Sequence, residues 1–89
     1  MIKAKTTIVN NLGLHARAAT KFATTANLFA SNIAVQCNTK TVDGKSVMSL
    51  MLLAAAKGTE LEIAATGDDQ DEALRALLDL IADKFGEEA

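Results

Sequence analysis

The sequence has 89 residues, 49% of them apolar, so it can build one domain around a single modest core and nothing larger. Its 9 basic and 11 acidic side chains leave a net charge of −2, with no Trp, no Tyr and three Phe; this argues against nucleic acid or an anionic membrane surface as a partner. The single cysteine, Cys37, cannot close an intrachain disulfide, and no long apolar run follows Met1-Ile2-Lys3, so a cytoplasmic protein with neither signal peptide nor membrane insertion is expected.

Ile2, Ala4, Thr6 and Ile8 alternate with Lys3, Lys5, Thr7 and Val9, the period of a strand with one buried face, ending at Asn10-Asn11. After Gly13 a first helix is expected from Ala16 to about Ala26. Ala19, Phe22, Ala23 and Ala26 fall at helical spacing on its apolar side, and Arg17, Lys21, Thr24 and Thr25 face outward. Ile33, Val35 and Cys37 share one face of a second strand, and the stretch from Thr39 to Asp43 returns antiparallel to it. Ser46 stands where a helix cap belongs, ahead of Val47, Met48, Leu50, Met51, Leu52 and Leu53, with Gly58 as the expected stop. Leu61, Ile63 and Ala65 alternate with Glu60, Glu62 and Ala64 as a fourth strand. In the last helix Asp69 and Glu72 suit a capping box, Leu74, Leu77, Leu78, Ile81 and Phe85 make the stripe, and Gly86 suits the position after it. The tail Glu87-Glu88-Ala89 is expected to fray.

Half-apolar strands need a cover on one face, and three amphipathic helices supply it. The expected fold is one α+β domain over residues 1–89. It is a two-layer open-faced sandwich in which a four-stranded antiparallel sheet is covered on one face by three helices, in the order βαββαβα.

His15 is the only histidine. A lone surface histidine ordinarily does no chemistry, but this one falls between a strand and a helix. The first turn of a helix leaves N–H groups without partners and carries partial positive charge, so an anion placed there is stabilised. A phosphoryl group on the imidazole is such an anion. Arg17 adds a planar donor set that meets phosphate oxygens in pairs. Phosphoryl transfer is mostly positioning and charge stabilisation. An imidazole of ordinary pKa, about 6.5, is roughly three-quarters neutral at pH 7 and needs no dedicated base. None stands nearby in the sequence, since no carboxylate flanks His15. One His and one Cys more than twenty residues apart offer no metal-ligand spacing, and neither a metal nor a cofactor is expected.

The segments Asn10-Asn11-Leu12-Gly13-Leu14-His15-Ala16-Arg17 and Gly44-Lys45-Ser46-Val47-Met48-Ser49-Leu50, with Ala54-Ala55-Ala56-Lys57-Gly58, together resemble the HPr phosphocarrier family over the whole chain. The resemblance implies that His15 is phosphorylated on Nδ1, that Arg17 holds the phosphate, and that Ser46 is a regulatory site for a serine kinase. It also implies a phosphoryl group received from enzyme I, charged by phosphoenolpyruvate, and passed to IIA proteins, so that the chain is a covalently phosphorylated carrier rather than a stand-alone enzyme. The family often has proline where this chain has Ala18, and a slightly looser helix start is expected here.

The second helix is apolar almost all the way round, and a domain this small cannot bury every side. With Leu50 and Leu53 toward the sheet, Val47, Met48, Met51 and Leu52 are left as an interface candidate, joined by Ala16 and Thr20 of the first helix. A monomer is expected, since a relay needs that surface free. Two other functions stay open at this level. One is an NPr-type paralogue of the nitrogen-related branch with a regulatory acceptor. The other is a non-catalytic interaction module in which His15 is idle.

Overall fold

Alternation along the strands sorts the molecule into its two layers. The computed structural model describes residues 1–89, with β1 (Ile2–Thr7), α1 (Ala16–Ala26), β2 (Asn32–Cys37), β3 (Lys40–Asp43), α2 (Val47–Leu52), β4 (Glu60–Thr66) and α3 (Gln70–Ala82), then a single turn, Lys84–Gly86. The sheet order is β1-β4-β2-β3, and every neighbouring pair is antiparallel. Ala4 pairs with Ile63 and Val35 also faces Ile63, which lines up the inward side chains of three strands. Leu61, Ile63, Ala65, Ile33, Val35 and Cys37 are buried under the helices. On the open face Lys3 and Lys5 reach Glu62 and Glu60 at 3.7 and 3.9 Å, exposed pairs worth about 0–1 kcal/mol each. The expected open-faced βαββαβα sandwich is the fold observed.

Four local expectations are corrected. β1 leaves the ladder at Thr7 rather than at Asn10-Asn11, although Ile8 stays fully buried and exchanges hydrogen bonds with Thr59 and Gly58 at 2.9 and 2.7 Å. α2 ends at Leu52, well short of Gly58. Ala54 turns left-handed at φ 50°, and the freed Ala55 carbonyl accepts from Leu14 N–H at 2.8 Å; tertiary pairing with the loop before α1 replaces further helix. Asp69 caps nothing in α3. Its carboxylate instead accepts from the N–H groups of Ala30 and Ser31 and from the Ser31 hydroxyl, at 2.8, 2.9 and 2.5 Å, tying the start of α3 to the turn before β2. The Ser31 hydroxyl, then the Ala30 N–H, hold its carboxyl below the usual aspartate range.

The fourth correction concerns the C-terminus. α3 stops at Ala82, and Lys84, Phe85 and Gly86 follow with φ of 57°, 55° and 78°. A left-handed residue other than glycine costs about 1–2 kcal/mol. Two in succession are held because Phe85 is buried, reaching the core from this turn rather than from a helical stripe. The turn redirects the last residues toward α1, where the tail does not fray. Asn11 N–H donates to the Ala89 carbonyl at 2.9 Å.

Candidate functional site

The loop from Asn10 to Leu14 is fixed before it delivers His15. Gly13 has φ 68°, and a Cβ there would lie 2.5 Å from the Ala55 carbonyl oxygen and 2.9 Å from Ala56 Cα. Only glycine combines that conformation with that approach. Leu14, the next residue, is buried, so His15 emerges directly at the helix start. It is the N-cap residue of α1, in an extended conformation (φ −76°, ψ 179°), and its side chain caps no N–H. Its carbonyl takes the first helical bond, from Ala19 at 2.8 Å. The N–H groups of Ala16, Arg17 and Ala18 therefore have no helical acceptor, and no acidic side chain sits in the first turn. Ala18, which stands where the family often has proline, is fully buried.

The absence of a carboxylate near His15 in the sequence does not hold in space. The strained C-terminal turn brings Glu87, whose Oε2 lies 2.5 Å from His15 Nε2. The other oxygen, Oε1, accepts from Asn10 Nδ2 at 3.0 Å, and the same amide donates to the Gly13 carbonyl at 2.9 Å. Asn10 is wholly buried, and its own Oδ1 has no partner. An unmet buried acceptor costs about 1–3 kcal/mol, so Asn10 is placed for what it donates. Lys21 anchors the turn, Nζ to the Phe85 carbonyl at 2.6 Å. The hydrogen bond from His15, then that from Asn10, hold the Glu87 carboxyl below the usual glutamate range, and the Lys21 charge pulls the same way.

His15, Arg17, Lys21, Asn11 and Glu87 line one cleft of about 840 Å³. Arg17 is exposed and takes no part in the ion pairs of the chain, which leaves its guanidinium available to an incoming anion. An imidazole with one ring nitrogen engaged, unpartnered helix N–H groups and the free Arg17 guanidinium in a shared cleft suit the binding of a transferred phosphoryl group.

Of the interface candidates, Met48 is 79% exposed, Leu52 71% and Met51 44%, whereas Val47 is half-buried; Leu50 and Leu53 are buried as expected. Ala16 and Thr20 are exposed on α1, which packs against α2. Sequence reasoning missed Leu12, exposed at 71% and lining the cleft. Ser46 caps α2, its Oγ accepting from Ser49 N–H at 3.2 Å. No group of histidine, cysteine and carboxylate side chains is arranged to hold a metal, and no helix is long and apolar enough to cross a membrane.

An open-faced sandwich that presents a histidine at a helix start with open N–H groups, in one cleft with an unpaired arginine, belongs to the class of small phosphocarrier proteins. The family model described as "PTS HPr component phosphorylation site" matches residues 2–83, and the chain belongs to this HPr family of the phosphotransferase system. It is 54% identical over 87 residues to the phosphocarrier protein HPr of Neisseria meningitidis serogroup A, covering 98% of each chain. It is 50% identical over 82 residues to that of Pseudomonas aeruginosa, covering 91% of each. The crystal structure of HPr-C-His from Thermoanaerobacter tengcongensis superposes with a TM-score of 0.96 at 45% identity over the whole of both chains.

Proposed function

We propose that this chain accepts a phosphoryl group on Nδ1 of His15 from phospho-enzyme I, charged by phosphoenolpyruvate, and passes it to IIA proteins or domains for sugar uptake and its regulation. The observation that carries the reading is His15 as the N-cap of α1, in one cleft with Arg17, at a helix start whose N–H groups are open. Glu87 occupies Nε2, so Nδ1 is the ring nitrogen with a lone pair to spend. As the Nδ1–P bond forms, the donor's bond to phosphorus breaks and its electron pair leaves with the donor. Arg17 and the first-turn N–H groups meet the phosphoryl oxygens. Onward transfer reverses the step, with the acceptor's nucleophile replacing Nδ1.

Leu12, Met48, Met51 and Leu52, with Ala16, Thr20 and Val47, form the surface offered to donor and acceptor in turn. Met-rich faces adapt to several partners. A monomer in the cytoplasm fits that use. Ser46 is first a helix cap; phosphorylated by a serine kinase, it would place a charge of about −1.5 to −2 beside the apolar surface while favouring the α2 terminus.

The reading is tested by a reconstituted relay of phosphoenolpyruvate, enzyme I, this chain and a IIA protein. Phosphoryl arriving on the IIA protein only when the chain is present is the expected result. Transfer to nitrogen-type IIA proteins but not to sugar-type ones would move the chain to the nitrogen branch, and no transfer to either would overturn the relay.

A further inference from the structure

The tail that the sequence leaves unassigned runs into contact with the only histidine of the molecule. Three features make that contact a built one. The backbone runs left-handed through Lys84, Phe85 and Gly86 to redirect the chain. Phe85 is buried as the anchor, and Lys21 binds its carbonyl. Asn10, fully buried, fixes one Glu87 oxygen so that the other meets His15 Nε2 at 2.5 Å. An ionised carboxylate is an acceptor only, so the proton between them sits on Nε2.

We infer that Glu87 is a positioning residue for phosphoryl transfer: it holds His15 in the tautomer with Nε2 protonated and Nδ1 free, and it neutralises the ring once Nδ1 carries phosphorus. The inference rests on the reading of His15 as phosphoryl acceptor. When the neutral ring attacks through Nδ1, no proton leaves, so the phosphorylated ring carries a positive charge shared with Nε2–H. Glu87 already lies against that proton. On the return step the N–P bond breaks, the pair of electrons goes back to Nδ1, and the ring is neutral with its Nε2–H unchanged. One proton therefore stays in one hydrogen bond through the whole cycle, and the relay runs without a proton shuttle. A carboxylate orienting an imidazole in this manner is a general device for choosing which ring nitrogen reacts. The other charged groups lining the cleft, Arg17, Lys21 and Glu88, make no hydrogen bond to the ring.

The test uses the full chain labelled with 15N in the imidazole, as wild type, Glu87→Ala and Glu87→Gln, with enzyme I and phosphoenolpyruvate as phosphoryl source. In the wild type a protonated Nε2 and an unprotonated Nδ1 are expected as separate resonances, with a downfield Nε2–H proton. Glu87→Ala is expected to average the two nitrogens, lose that proton signal and slow phosphorylation about threefold to tenfold, the range of one charge-assisted hydrogen bond partly screened by water. Glu87→Gln, whose amide oxygen still accepts from Nε2 but carries no charge, is expected to keep the tautomer and recover only part of the rate. A Glu87→Ala chain with wild-type resonances overturns the inference, even where its melting temperature falls, since a merely structural tail changes stability and not tautomer. A wild-type rate in that variant overturns it equally. A wild-type chain that takes no phosphoryl group fails differently: it removes the acceptor reading, and the inference with it.

Discussion

The starts of α1 and α2 both have an N-cap residue in an extended conformation and are finished in opposite ways. At α2 the N-cap is Ser46, whose hydroxyl accepts from Ser49 N–H, so the helix closes its own end. At α1 the N-cap is His15, which gives its side chain to Glu87 and leaves the first-turn N–H groups open. A serine, threonine or aspartate cap would make α1 about 1 kcal/mol more stable. The chain forgoes that and keeps a positive terminus free for an anion, with its cost offset by the buried Leu14, Ala18 and Ala19 on either side. A helix start left unfinished inside a well-packed frame marks a place where something else binds.

The comparison breaks most completely at His15. His15→Ala is expected to abolish phosphoryl relay by orders of magnitude while the melting temperature changes little, as read by transfer assay and thermal unfolding of the same preparation; residual relay would mean another acceptor. Next in size is the loop that sets the open start. Gly13→Ala puts a Cβ against the Ala55 carbonyl in a left-handed conformation and should destabilise by about 1–3 kcal/mol in denaturant unfolding. A neutral effect would show that residues 54–56 do not fix the loop.

Smaller effects sharpen the closed start. Ser46→Ala is expected to cost about 1 kcal/mol without slowing transfer from enzyme I. Ser46→Asp should keep the melting temperature nearly unchanged, since an acid suits a helix N-terminus, and yet slow that transfer by crowding charge onto the exposed α2 face. A normal rate in Ser46→Asp would remove the regulatory reading. The smallest effect is at the third helix start, where Asp69 clamps Ser31 and Ala30. Its carboxyl is depressed in the folded state, so its stabilisation is present above the unfolded aspartate value of about 3.9 and lost as pH falls through the lower folded value. The melting-temperature gap between wild type and Asp69→Asn should therefore be widest at neutral pH and shrink in acid. A gap that is constant with pH would mean the clamp is not ionic.

Period-two and helical patterning carried the layers and the element order, because those depend on which faces are buried. The patterning also placed His15 and Arg17 at the start of the first helix and Ser46 as the cap of the second, since boundaries between elements are legible as caps and turns. What it missed lies in long-range contacts that override local preference. Asp69 and Glu72 read as a capping box, yet Asp69 finds better donors in the turn before β2. The apolar run after Ser46 reads as a longer helix, yet Ala55 is claimed by Leu14. Glu87 looks like part of a frayed acidic end, and only the left-handed turn at Lys84–Gly86 and the buried Asn10 bring it to His15. The one sequence signal for that contact is Asn10-Asn11 at the end of an apolar strand, where two amides need partners that the neighbouring residues do not all supply.

The central claim, that the open start of α1 is where phosphoryl is carried, is tested most directly by 31P NMR of the intact chain incubated with enzyme I and phosphoenolpyruvate. A single resonance of an Nδ1-phosphorylated imidazole, lost in acid, kept in base and missing from His15→Ala, is the result the account requires. A phosphoryl group on any other residue, or none with a competent enzyme I, would contradict it.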